Sequence, residues 1–190
     1  MNQGNEEDFL LISDCSFHEC NGLCCKIDVK ENSKEKITIT DCKFIKCQKG
    51  DDDSIAILTS ETADSIKLFI LNNNLIDCGK ENENENGNSF IFNLQINQPT
   101  KNEEYLIFEE NFFDNSCGSI KIKQQEGQVV IRKCNFKKIN QNSIFVDLLK
   151  DVLIEECSFD NCNCCFSVEK SISNANIENC NFSNCFNDIG

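Results

Sequence analysis

The sequence predicts an all-β chain wound as a parallel β-helix, a solenoid of about seven coils forming one domain over residues 1–190. Three observations carry that expectation. A short phrase recurs seven times, its apolar residues alternate with a period of two, and every change in its spacing falls in a polar stretch. A recurrence of this length belongs to repeat architectures, in which each unit buries its apolar face only against its neighbours. Alternation with a period of two is the pattern of strands.

The phrase is clearest near the C-terminus. There Ile131, Cys134 and Phe136 are followed at intervals of 23 residues by Ile154, Cys157 and Phe159, then by Ile177, Cys180 and Phe182. Earlier copies run through Ile12, Cys15, Phe17 and Cys20, through Ile39, Cys42, Phe44 and Cys47, through Ile70, Asn73, Leu75 and Cys78, and through Phe108, Asn111, Phe113 and Ser116. From Cys15 onward the spacings are 27, 31, 38, 23, 23 and 23. The extra residues fall in polar inserts at 48–53, 59–65, 79–88, 97–104 and 123–128, expected to be loops on a constant body.

Within each copy the apolar phase slips by one residue between two short strands, as at a corner. A third strand follows, at 27–29, 55–57, 90–96, 120–122, 144–148 and 166–168. Three strands and three corners make one coil. No segment has the spacings of 3 and 4 that a helix needs, and the Leu and Asn pattern of leucine-rich repeats is absent.

Coils stacked at ~4.8 Å place like on like inside the tube. One ladder runs Ile12, Ile39, Ile70, Phe108, Ile131, Ile154, Ile177. A second runs Phe17, Phe44, Leu75, Phe113, Phe136, Phe159, Phe182. A third runs Cys15, Cys42, Asn73, Asn111, Cys134, Cys157, Cys180, and a fourth Cys20, Cys47, Cys78, Ser116, Ile139, Cys162, Cys185. The six phenylalanines of the second ladder, with Cys134, Cys157 and Cys180, are expected to be nearly fully buried.

Fifteen cysteines in 190 residues ordinarily suggest a disulfide framework or a metal site. Here most of them fall at two places in the repeat, which points to packing. A small, poorly hydrated side chain stands where other copies carry Asn, Ser or Ile. Disulfides along a ladder are disfavoured because parallel Cβ atoms ~4.8 Å apart exceed the usual separation; a corner pair within one coil fits better. The dense clusters are Cys24 with Cys25, and Cys162 with Cys164 and Cys165. They lack zinc-finger spacing and read as packed or redox-labile thiols, with a soft-metal site as the alternative.

The net charge of −14 argues against nucleic acid or an anionic membrane as partner. No apolar run approaches ~18 residues, so no membrane insertion is expected. Residues 1–8 are polar and acidic, are expected to be disordered, and show no signal peptide. The expected compartment is intracellular, or the cell surface or outside if the chain is a piece of a longer protein. Residues 186–190 stop where earlier coils begin a third strand, so an uncapped or truncated edge is expected, with self-association through it.

His18, the one histidine, lies between ladder positions and reads as a surface residue, not as the partner of a cysteine nucleophile. Asp14 and Asp41 share a repeat position and should stack outside. Together with Asp51, Asp52 and Asp53 in a hydrophilic insert they are the candidate calcium ligands, set against the simpler reading of solvated carboxylates. Lys121, Lys123, Arg132, Lys133, Lys137 and Lys138 read as a solvated, partly paired basic face. Arg132 and Lys133 are expected to stack between Glu109 and Glu110 on one coil and Glu155 and Glu156 on the other. No catalytic residue and no cofactor is assigned.

The phrase resembles the right-handed parallel β-helix repeats of the pectin-lyase-like superfamily, in particular those of polymorphic outer-membrane and protist surface proteins. Their signature is Phe-x-x-Asn followed by Gly-Gly-Ala-Ile. Here the slot pairs Phe17 with Cys20, Phe44 with Cys47, Phe159 with Cys162 and Phe182 with Cys185, and the glycine pair is missing. The resemblance implies a right-handed coil and a non-catalytic scaffold or binding module within a surface or adhesion protein, taking a protein or carbohydrate ligand through its loops. It leaves as alternative a carbohydrate-active enzyme, a polysaccharide lyase or hydrolase. Such an enzyme needs paired carboxylates in a groove, or a basic residue with calcium. A cysteine-rich metal- or redox-responsive protein is a third reading.

Overall fold

A computed structural model of the chain describes residues 8–29, 34–47, 54–60, 65–79, 90–96, 104–124 and 128–189. Among these residues every regular element is a strand, and the parallel sheets wind into a β-solenoid of about five turns. No helix among them is long and apolar enough to cross a membrane.

Three faces make up the tube. The first strand of successive coils is Asp8–Ser13, Lys34–Thr40, Ser65–Leu71, Glu104–Glu109 and Gln128–Arg132. The second strands are three residues long and stack as a seven-stranded sheet from Ser16–His18 to Asn181–Ser183. The third strands are Cys25–Val29, Ser54–Ser60, Phe90–Ile96 and Ile120–Gln124. In the last coils the third strand continues into the first strand of the next coil, as Asn142–Glu155 and Cys164–Glu178. These two long strands join the first and third faces into one twelve-stranded sheet.

Several strands are longer than the alternation indicated. Thr59 and Ser60 pair with Gln95 and Ile96, and Lys34 pairs with Ser65, so these polar residues are ladder members and not loop. Residues 1–7 and the inserts at 48–53, 61–64, 80–89, 97–103 and 125–127 lie outside the described residues.

The stacking register is the expected one. Ile39 faces Ile12 and Ile70, Phe108 faces Ile70 and Ile131, and Ile154 faces Ile131 and Ile177. The second ladder pairs Phe17 with Phe44 and continues through Leu75, Phe113, Phe136 and Phe159 to Phe182.

Both corners of the short strand are turned by a left-handed residue in every coil. Asp14, Asp41, Asn72, Glu110, Lys133, Glu156 and Asn179 form one row, and Glu19, Lys46, Asp77, Asn115, Lys138, Asn161 and Asn184 the other, with φ between 51 and 56°. Eight of the fourteen are Asn or Asp, which tolerate this region at the lowest cost among non-glycine residues. The coil therefore turns twice without glycine. Inter-coil hydrogen bonding is kept through the corners, as in Asn72 N–H to the Glu109 carbonyl at 2.9 Å and Glu19 N–H to that of Ile45 at 2.9 Å.

Inside, Phe44, Phe113, Phe136 and Phe159 are buried. Their rings stack face to face where they adjoin, with centroids 4.9 Å apart for Phe113–Phe136 and 4.8 Å for Phe136–Phe159. Leu75 interrupts the stack, and Phe92 of a third strand fills the space. It packs edge-on against Phe44 and Phe113, each at 6.3 Å, and against Phe108 at 5.8 Å.

Two expectations are corrected at the ends. Phe17 and Cys180 are only half-buried and Phe182 is 37% exposed, because the first and last rungs have a neighbour on one side only. The coil count also differs slightly from the expected seven. Seven rungs are present in the short sheet, but about five turns are made.

Candidate functional site

Asp14 and Asp41 sit on adjacent rungs of one corner row, both exposed. Asp41 is already engaged, one carboxylate oxygen accepting from Thr40 Oγ1 at 2.8 Å and the other from Asn72 Nδ2 at 2.6 Å. Asp51, Asp52 and Asp53 lie outside the described residues. His18 is exposed on the outer side of the short sheet, beside Ile45 of the next rung.

The basic stretch resolves into ion pairs across rungs. Register places Arg132 between Glu109 and Glu155. Arg132 Nη2 meets the Glu109 carboxylate at 2.8 Å, and Lys133 Nζ lies 3.4 Å from Glu109 and 3.8 Å from Glu110. The hydrogen bond from Arg132 holds the Glu109 carboxyl below its ordinary range, assisted by Lys133. Arg132→Glu is therefore expected to destabilise by ~0.2–1 kcal/mol per lost pair, with most of the loss gone at ~1 M salt. The folded-state pKa of Glu109 is depressed, so its contribution is fully present above the unfolded value of 4.5 and disappears as pH falls through the lower folded value. Urea titrations at two salt concentrations check the first statement, and a pH series below 4.5 the second. A salt-independent loss would show that Arg132 acts by packing instead.

Sequence reasoning missed Asp147. Alternation places it outward, yet it is only 4% exposed, at the register irregularity between Val146 and Leu148. Lys170 Nζ covers it at 2.8 Å, and Lys123 Nζ approaches to 3.9 Å. Lys121 Nζ stands 5.5 Å from the centre of the Phe145 ring. These partners come from neighbouring coils, so no local pattern announces the cluster.

All fifteen cysteines are thiols. In both cysteine ladders the sulfur donates to a carbonyl of the preceding coil: Cys157 to Ile131 at 3.5 Å, Cys47 to Phe17 at 3.4 Å, Cys78 to Phe44 at 3.2 Å and Cys162 to Phe136 at 3.4 Å. A thiol is a weak donor, and asparagine in the same slot makes the same bond, from Asn73 Nδ2 to Ile39 at 3.0 Å. That shared bond explains why Cys and Asn exchange along the third ladder.

At two places a further cysteine joins a ladder pair. Cys165 donates to Cys162, which draws the Cys162 thiol down to about 6 against the opposing effect of burial and pushes Cys165 up. Cys185 on the next rung hydrogen-bonds the Cys165 thiol. At the other end, Cys20 and Cys47 occupy neighbouring rungs and Cys24 folds back onto them, so the three sulfurs lie within 4.8 Å of one another. Burial raises Cys24 well above the ordinary thiol range, with Cys47 as the next cause, and burial raises Cys47 too. The dense clusters seen in the sequence are thus re-sorted: Cys20, Cys47 and Cys185 enter from the ladder.

Comparison of the chain with known protein families, with curated proteins and with solved structures finds no match.

Proposed function

We propose that this chain is a non-catalytic β-solenoid scaffold that binds a protein or carbohydrate ligand through the inserts bordering its third face. The placement of those inserts supports the reading. Residues 48–53 and 80–89 each intervene between a fourth-ladder cysteine, Cys47 or Cys78, and a third strand whose first residues, Ser54 and Phe90, are paired. Residues 61–64 and 97–103 each follow the other end of those strands, where Ser60 pairs with Ile96. Hydrophilic segments of variable length thus adjoin, in sequence, the same paired strands of successive coils, a placement that suits recognition loops on a repeat scaffold.

Membership of the pectin-lyase-like superfamily and a place on a cell surface rest on the repeat phrase alone. The enzyme alternative draws less support, since Glu109 and Asp147 are each already paired with cations. Phe182 at 37% and Phe186 at 78% exposure offer an apolar surface for the self-association expected at the last rung, which sedimentation at rising concentration tests.

The binding reading is tested on an array of neutral and acidic glycans, with product release assayed in parallel. Binding without release is expected, and replacing residues 80–89 by a short Gly-Ser linker should abolish it while leaving the melting temperature unchanged. Release of reducing ends or of unsaturated sugars would replace this reading by the enzymatic one.

A further inference from the structure

We propose that Cys20, Cys24 and Cys47 form a three-thiolate site for a soft d10 cation, copper(I) in particular. Ladder packing explains two of these residues, since Cys20 and Cys47 stand where other coils also carry cysteine. It does not explain Cys24, which belongs to no ladder.

The chain is specifically turned to deliver Cys24. Between Cys20 and Cys24 it passes through Gly22 at φ 131°, a conformation side-chain-bearing residues rarely adopt. A Cβ at Gly22 would meet nothing within 4 Å, so glycine is required there for the turn and not for space. Among the described residues this is the one group of three metal-ligating side chains drawn so close. Cys47 is buried while Cys20 and Cys24 are half-buried, which leaves the cluster open to an incoming ion from one side.

The geometry suits a trigonal ion. Metal–sulfur bonds of ~2.3 Å set the sulfurs of a planar three-coordinate site ~4.0 Å apart. Sulfurs now within 4.8 Å of one another each need to move inward by no more than about half an ångström, a small side-chain rotation. Thiolates select copper(I), zinc or iron–sulfur clusters over hard cations. Structural zinc takes four ligands, whereas among the described residues the group has three, which three-coordinate copper(I) satisfies. Binding is ligand exchange without electron transfer: three S–H bonds break, three metal–sulfur bonds form, and three protons pass to solvent.

The test uses the whole chain, reduced and anaerobic, titrated with copper(I) against a competing chelator that suppresses weak uptake by the other thiols. One tight equivalent per chain is expected, with three sulfur neighbours at ~2.3 Å in X-ray absorption. Cys24→Ser should weaken that equivalent at least ~100-fold, more than loss of a supporting group costs. Gly22→Val keeps every sulfur but spoils the turn, and it should weaken binding as well. Cys164→Ser, half-buried and outside the group, should leave it unchanged. Equal loss in Cys24→Ser and Cys164→Ser, undiminished binding in Cys24→Ser, or only two sulfur neighbours in the bound state would overturn the assignment.

Discussion

Phe136→Ala is expected to lower the free energy of unfolding by about 3–5 kcal/mol, the range for deleting a fully buried aromatic ring. The site gives little room for collapse. Phe136 is fully buried, with Phe113 stacked on one side at 4.9 Å and Phe159 on the other at 4.8 Å. Those separations are set by the backbone ladder, in which Asn135, Phe136 and Lys137 are paired with both adjoining rungs. The neighbouring rings cannot close the gap without breaking main-chain hydrogen bonds. Phe182→Ala removes the same ring from a rung where it is 37% exposed and stacked on one side only, at 5.0 Å, so its cost should be well below that of Phe136→Ala. Urea denaturation of the two variants measures the difference, provided the slope m stays constant. Equal costs at the two positions would mean that the ladder does not carry the stability.

The comparison between Phe136 and Phe182 also marks what could be read in advance. Inward positions were legible because the side-chain period of a strand is two and because the same slot recurs in every coil. Register was legible for the same reason: a one-residue slip would expose Ile131, Cys134 and Phe136 together. The extent of burial at the ends was not, because a pattern repeats equally in interior and terminal coils. Phe92 was placed on a strand, but its role as filler for the missing ring at Leu75 depends on contacts between different faces. The partners of Asp147 and of Cys24 were hidden by the same kind of gap. Lys170 reaches Asp147 from 23 residues away, and Cys24 meets Cys47 only after the turn at Gly22. The left-handed corners were legible as corners but not as a conformation, since Lys46, Lys133 and Lys138 give no local hint of positive φ.

The other large effect should appear where the third ladder changes from cysteine to asparagine. Asn73 and Asn111 are each 1% exposed and hydrogen-bonded in both directions along the axis. Asn111 Nδ2 donates to the Ile70 carbonyl at 2.7 Å, and its Oδ1 accepts from the Asn73 backbone N–H at 3.0 Å and from Asn73 Nδ2 at 3.0 Å. Asn73 passes the pattern on, accepting from Cys42 N–H at 2.9 Å. Asn111→Ala strands a buried backbone donor and a buried acceptor at once, each costing about 1–3 kcal/mol, so a total loss of ~2–6 kcal/mol is expected. Asn111→Leu restores volume but neither bond and should remain close to Ala. Asn111→Cys should recover part of the loss, because a thiol in this slot donates to the preceding coil, as Cys134 does to Phe108 at 3.7 Å, but offers Asn73 only a weak acceptor. The expected order of stability is wild type, then Cys, then Leu and Ala together, read from urea midpoints. A Leu variant as stable as wild type would show that packing alone selects residues in this ladder. The predicted order would instead show that cysteine and asparagine exchange there because both can donate to the carbonyl of the coil before.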